Sequence, residues 1–176
     1  DFHTGVELNF EPRAWQSAAK DRVAPDGDRY LTASQDDYSR TTLNAFASGA
    51  LIKDRLFFFG MYEAREYTPR NTNDSGNVYN MGKASDPFWG GKLDWQINDN
   101  HLLSLFGFSD KNRTTTDVYD YSFDTKTKEQ KTNQIYNDTG GTNWALSYSG
   151  YLSDSFSMKL LFKKIWRESV KTCKPF

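Results

Sequence analysis

Apolar and polar residues alternate with a period of two along most of this chain. From Phe2 to Phe10 the even positions read Phe2, Thr4, Val6, Leu8, Phe10 and the odd ones His3, Gly5, Glu7, Asn9. From Thr41 the odd positions are Thr41, Leu43, Ala45, Ala47, Gly49, Leu51. Leu56, Phe58, Gly60, Tyr62 and Ala64 form one face of the next segment, and Phe57, Phe59, Met61, Glu63 and Arg65 the other. Trp89, Gly91, Leu93, Trp95 and Ile97 stand opposite Lys92, Asp94 and Gln96; Trp144, Leu146, Tyr148, Gly150 and Leu152 stand opposite Asn143, Ala145, Ser147, Ser149 and Tyr151. Residues two apart share a side of a sheet, so each segment is a strand with one apolar and one more polar face. The pattern predicts strands near 2–12, 41–52, 56–68, 87–97, 101–110, 142–152 and 156–167. The sole helical candidate is the stretch from Arg13 to Ala24, bounded by Pro12 and Pro25.

The connections fall into two classes. Lys53–Arg55, Asn98–Asn100 and Ser153–Ser155 are tight, polar, Asp-centred turns. They alternate with long polar segments, Arg13–Arg40, Pro69–Asp86 and Asp110–Gly141. In an up-and-down meander every second connection lies at the same end, so short turns gather at one end and long loops at the other. Transmembrane barrels of the outer-membrane type have that asymmetry. The expected fold is all-β: an antiparallel up-and-down meander of about seven strands, part of a larger transmembrane β-barrel occupying residues 1–176. Leu43, Leu51, Phe58, Tyr62, Leu93, Trp95, Trp144 and Leu146 are expected on its lipid face. Trp89, Trp95, Trp144 and Tyr148 read as aromatic girdles.

Composition narrows the function. Net charge is −1, so no overall basic field draws in nucleic acid. Aromatics make up 16% of the residues, which favours strands over helices. Mean hydropathy is −0.78 and no run of about 18 apolar residues exists. A spanning strand needs one apolar face over about 10 residues, so neither fact argues against a barrel. The single cysteine, Cys173 in a basic C-terminal stretch (Lys163 to Lys174), leaves no internal disulfide.

Candidate chemistry is sparse. The run Ala24-Pro-Asp-Gly-Asp-Arg-Tyr30 lacks the further ligands and terminal Glu of a calcium loop and reads as a turn. The acids and aromatics of Asp117–Asp124 read as a solvated outer loop. His3 and His101 lack metal-ligand partners at helical or hairpin spacing. No nucleophile has a recognisable setting. The expectation is therefore no enzyme, no catalytic residue, no metal and no cofactor; the ligand-binding residues stay unassigned. Glu63, Arg65, Lys92 and Asp94 read as charges inside a barrel, paired with one another or with a plug.

The segment from Gly49 to Tyr67, GALIKDRLFFFGMYEAREY, resembles a signature of TonB-dependent outer-membrane receptors of the Oar-like subgroup. There a Gly-rich apolar strand end is followed by a Lys-Asp-Lys/Arg turn, then Leu-Phe-Phe-Phe-Gly and Tyr-Glu. DFHTGVELNF resembles the first barrel strand of that family, with Thr4 inserted between His3 and Gly5. FWGGKLDWQINDNHLLSL (Phe88 to Leu105) resembles the following hairpin. The resemblance implies a barrel of about 22 strands with a plugged lumen. It implies a place in the outer membrane, with long loops extracellular and short turns periplasmic. It also implies energised uptake of scarce ligands through TonB. The TonB box, plug and remaining strands would lie elsewhere in the polypeptide, and the chain reads as mature or cut. The partners implied are outer-membrane lipid, those strands and plug, and TonB; nucleic acid is not among them. Surface adhesion or scaffolding by an Oar-like protein is the alternative, and a soluble β-sheet binding module a third.

Overall fold

The computed structural model describes residues 1–166 and 168–175. Thirteen strands occur among them. They are β1 (Phe2–Glu11), β2 (Arg22–Val23), β3 (Arg29–Leu31), β4 (Asp37–Ile52), β5 (Leu56–Thr72), β6 (Val78–Ala84) and β7 (Phe88–Asn98). Then follow β8 (His101–Ser109), β9 (Asn112–Ser122), β10 (Thr127–Gly140), β11 (Thr142–Ser153), β12 (Phe156–Lys164) and β13 (Glu168–Pro175). β2 and β3 form a small separate hairpin; the other eleven form one antiparallel sheet.

The register reduces those eleven to seven long strands. Glu63 of β5 faces Phe88 of β7, and Tyr67, four residues on, faces Ala84 of β6, four residues back. β6 and β7 are therefore one strand, interrupted at Ser85–Pro87 but unshifted. Trp89 faces Ser109 and Ala84 faces Thr114, so β8 and β9 are likewise one. Ser109 faces Thr142 and Asn112 faces Thr139, which joins β10 to β11. Trp144 faces Lys164 and Gly140 faces Glu168, which joins β12 to β13. The result is the expected antiparallel meander, each strand beside its sequence neighbour. β1 at one margin and β12–β13 at the other each pair on one side only among the described residues, so the sheet is open.

The expected strands occur close to their expected bounds, but several expectations need correction. Pro69–Asp86 and Asp110–Gly141 are not long loops. They are paired strand extensions, β5 to β6 and β9 to β10, joined by turns at 73–77 and 123–126. Their sequences hide this because both faces are polar; the surviving signal is β-branched content, as in Arg113-Thr-Thr-Thr-Asp117. Of the long connections, 12–36 alone is a true loop. It holds a 3-10 turn at Arg13–Trp15 and the β2–β3 hairpin, not the helix considered for Arg13–Ala24. Cys173 is exposed, and the stretch that holds it is a paired strand, β13, with Cys173 opposite Ile135. The strand expected to reach Arg167 ends at Lys164, and Arg167 itself lies outside the described residues.

The short turns are as expected. Asp54 adopts a left-handed φ of 58°, a conformation Asp tolerates better than most residues. Asn100 N–H bonds the Asn98 side chain at 3.0 Å, closing the next turn.

Almost nothing is enclosed. Among the described residues the buried apolar side chains are Ala33, Ala84 and Tyr121. The accessible surface is 12131 Å², against about 8,800 Å² for a compact monomer of this mass. A single-layer sheet with two open faces accounts for the excess.

Candidate functional site

Directly opposed residues share a face, so the register sorts every strand between two surfaces. On one surface lie Val6 and Leu8, paired with Ala45 and Leu43; Phe58 and Tyr62, paired with Leu93 and Trp89; and Leu105 and Leu103, paired with Leu146 and Tyr148. Leu160 and Phe162 continue it. Seven of the eight residues expected to share a face do so: Leu43, Phe58, Tyr62, Leu93, Trp95, Trp144 and Leu146. For Leu51 the register assigns no partner, because a shift makes Ile52 the partner of Leu56 and leaves Leu51 as the extra residue. This surface is open: Val6 is 75% exposed and Phe162 65%. It runs across every long strand of the sheet, whereas soluble monomers rarely leave large contiguous apolar patches uncovered.

The apolar band ends sharply away from the short turns, while toward them Ile97 and Phe156 continue it. At its turn end Trp95, Leu103, Tyr148 and Leu160 form a row across four strands. The Tyr148 ring stacks on His101 at 5.8 Å, with its hydroxyl 2.6 Å from Nδ1. At the other end Trp89 and Trp144 approach to 5.8 Å, beside Tyr62. One or two positions further on, the same face turns charged. Glu66 pairs with Lys83 at 3.3 Å, and Arg113 grips Asp138 through two bonds of 2.6 and 2.8 Å. The bond from Arg113 holds the Asp138 carboxyl below its usual range. Across the band β7, β8, β11 and β12 contribute 11, 9, 12 and 9 residues. A tilted bilayer-spanning strand needs about 9–11.

The strand interruptions line up at the charged edge, and polar side chains there replace the missing ladder bonds. Arg65 donates Nε to Asp86 O (2.7 Å) and Nη2 to Lys111 O (3.3 Å). Asp86 accepts from Arg113 N–H, and Asp110 accepts from Gly141 N–H at 2.9 Å. Asn143, buried, accepts from Trp166 N–H at 3.1 Å. Sequence reading placed Arg65 on the polar face but missed the other three. Their signal was positional: each polar residue sits where an apolar alternation ends.

The second face is mixed. Lys92 pairs with Asp94 at 2.8 Å, and Ser104 donates to Asp94 at 2.6 Å. Glu63 and Arg65 lie 3.8 Å apart. Between these pairs Phe88 and Phe108 (6.3 Å) and Phe106 and Phe108 (5.5 Å) make an aromatic cluster.

Beyond the charged edge, loop 12–36 is clasped to the extended strands. Arg13 bonds Asp37 at 2.7 Å and the Thr68 hydroxyl and carbonyl at 2.7 Å. Thr72 donates its N–H to Asp36 (2.7 Å) and its hydroxyl to Thr32 O (2.6 Å). Asp21 accepts from Ala33 and Ser34 N–H at 2.8 Å and pairs with Lys126. Burial pushes the Asp21 carboxyl up, but the Lys126 ammonium and these donors outweigh it and hold the carboxyl well below its usual range.

The remaining candidates have ordinary settings. Ala24–Gly27 is a turn closed by Gly27 N–H to Ala24 O at 3.0 Å. Asp117 bonds Gln134 and Lys131, Asp120 bonds Gln130, and Asp124 bonds Arg29. His3 lies on β1 opposite Ser48, far in sequence and register from the His101–Tyr148 stack. Among the described residues no His, Cys, Asp or Glu group has metal-site geometry. Compared with known proteins, the chain matches no described family, no curated protein and no solved structure.

Proposed function

We propose that this chain is a section of a transmembrane β-barrel belonging to a TonB-dependent outer-membrane receptor of the Oar-like subgroup, a ligand-uptake protein. The observation that carries the reading is the uncovered apolar band. It is bounded by Trp89 and Trp144 and then by charge at one end, it carries Trp95 and Tyr148 toward the polar turns at the other, and strands of spanning length cross it. A soluble sheet with this alternation would fold its apolar face against a second layer. Here the sheet is a single layer, and among the described residues no second layer lies on its apolar face. The resemblance of Gly49–Tyr67 supplies the family, and the two open margins are where further barrel strands would pair. In this reading the second face lines the lumen, the short turns are periplasmic and the long strand extensions are extracellular.

Adhesion or scaffolding by the same kind of protein is the second reading. What favours it is the length of the polar extensions. Thr127–Gly140 continues β11 by 14 residues, roughly 45 Å, well past the apolar band.

Site-directed spin labelling tests the membrane placement. Nitroxides are placed one at a time at positions 88–98, in a Cys173→Ser background reconstituted into phosphatidylcholine vesicles. Oxygen accessibility should peak at 89, 91, 93 and 95, and accessibility to a water-soluble nickel chelate at 90, 92, 94 and 96. A flat profile, or the opposite phase, would overturn the reading.

A further inference from the structure

Where loop 12–36 meets the strand extensions, a cavity of about 250 Å³ is lined by Gln35, Arg70, Tyr79, Tyr121, Lys126 and Lys128. Two of its lining residues carry buried polar atoms without a hydrogen-bond partner, Arg70 Nε and the Tyr121 hydroxyl. Tyr121 is 6% exposed, and its ring stacks on Tyr79 at 5.8 Å. A buried donor left unpaired is costly, more so on a charged group, and such groups in folded proteins normally find an acceptor. Three cationic side chains converge on the same space. Lys126 is held by Asp21, and Arg70 Nη1 lies 3.9 Å from Asp37. Lys128 has soft neighbours, Met81 Sδ at 3.6 Å and the Tyr119 ring at 4.2 Å. The acids around the cavity already have donors: Asp21 has Ser34 and Ala33, Asp36 has Thr72, and Asp37 has Arg13. Burial pushes both phenols up, so both remain protonated donors at neutral pH.

We propose that this cavity is a binding site for a phosphate group, free or on a sugar, held by the Arg70 guanidinium, the Tyr121 hydroxyl and the Lys128 ammonium. Phosphate supplies the acceptor oxygens that two unpaired donors and an ammonium require, and guanidinium matches its geometry. A phospholipid headgroup is the wrong source. Arg70 lies six residues beyond Ala64, the last apolar residue on that face of β5, or about 20 Å along the strand. A headgroup layer is about 5–8 Å deep on each side. The site therefore faces the aqueous phase, and this inference does not depend on the membrane reading.

The test is calorimetric titration of the whole chain in detergent micelles with inorganic phosphate, glucose 6-phosphate and glucose. Saturable binding of phosphate and glucose 6-phosphate, with none of glucose, is expected. Tighter binding of glucose 6-phosphate than of phosphate would identify a phosphorylated sugar as the source; equal binding would identify the free anion. Lys128→Met changes an exposed side chain and should leave the fold intact while weakening phosphate binding about ten-fold. Tyr121→Phe should weaken binding without lowering the melting temperature, since its hydroxyl has no partner in the free protein. No phosphate binding up to ~20 mM, equal binding of glucose and glucose 6-phosphate, or phosphate affinity unchanged in both variants would each overturn the proposal.

Discussion

The Trp144 indole occupies the space a side chain at Gly107 would need. A methyl group on Gly107 would sit 2.4 Å from indole carbons Cε3 and Cζ3. The two residues are direct cross-strand partners on the apolar face, and the indole placed this way reaches Trp89. Glycine is required here by close approach, not by a special φ.

Gly107→Val should therefore displace Trp144 and break the aromatic row at the charged edge. Overpacking costs about 1–3 kcal/mol, and the lost ring contact a further ~0.5–1.5 kcal/mol. Urea unfolding in micelles, followed by tryptophan emission, should show a lower midpoint and a red-shifted folded spectrum. A folded-state spectrum identical to the parent would mean the indole position does not depend on Gly107.

Leu93→Arg tests the apolar band directly. Leu93 lies between Trp89 and Trp95 on the same face, and its cross-strand partners are Phe58 and Leu105. If lipid covers this band, the change should cost about 2–4 kcal/mol in vesicles. Lys92→Arg, on the opposite face, keeps the charge beside Asp94 and should cost well under ~1 kcal/mol. Equal costs at the two positions would remove the face assignment.

How much of this was legible in the sequence follows from what surrounds each segment. Where one face is apolar and the other polar, the alternation is written into the chain, and β7 and β11 could be read nearly to the residue. β9 and β10 carry polar residues on both faces, so no period marks them. Their Thr-rich stretches looked like loop. At Leu51 a one-residue register shift intervenes, and no local pattern announces it. Asp86, Asp110 and Asn143 were invisible because they act on backbone groups of neighbouring strands. Those neighbours are assigned by register, which only three dimensions supply.

The Asp21 clasp predicts a pH response. Its carboxyl is held below the ordinary value near 3.9. A depressed folded pKa means the stabilisation is fully present above the unfolded pKa and is lost as pH falls through the folded one. The clasp should therefore persist at pH 5 and weaken only below about pH 4. Asp21→Asn removes the charge at every pH and should loosen loop 12–36 by about 1–2 kcal/mol after allowance for solvent screening. The amide protection factors of Ala33 and Ser34, exchange rates relative to the unstructured chain at the same pH, are the readout. They should fall in the variant at pH 7 and in the parent only in acid; a fall in the parent between pH 7 and 5 would contradict the clasp.

The open margins carry the last prediction. Among the described residues β1 pairs only with β4, and β12 and β13 only with β11 and β10, so each margin leaves a row of backbone donors and acceptors free. In lipid each unsatisfied group costs several kcal/mol, so these rows demand a further strand. In water they template edge-to-edge association, and the exposed apolar face reinforces it. With so few apolar side chains enclosed, the chain also lacks the buried area that would stabilise a lone soluble monomer. The isolated 176-residue chain in detergent-free buffer should therefore form oligomers or aggregates. Light scattering coupled to size exclusion should give a mass well above 20.3 kDa, and heating should show no cooperative transition of a monomer. A monodisperse 20.3 kDa species that unfolds cooperatively would show that the margins and the apolar face are satisfied within one copy, and would replace the barrel-section reading with a soluble binding module.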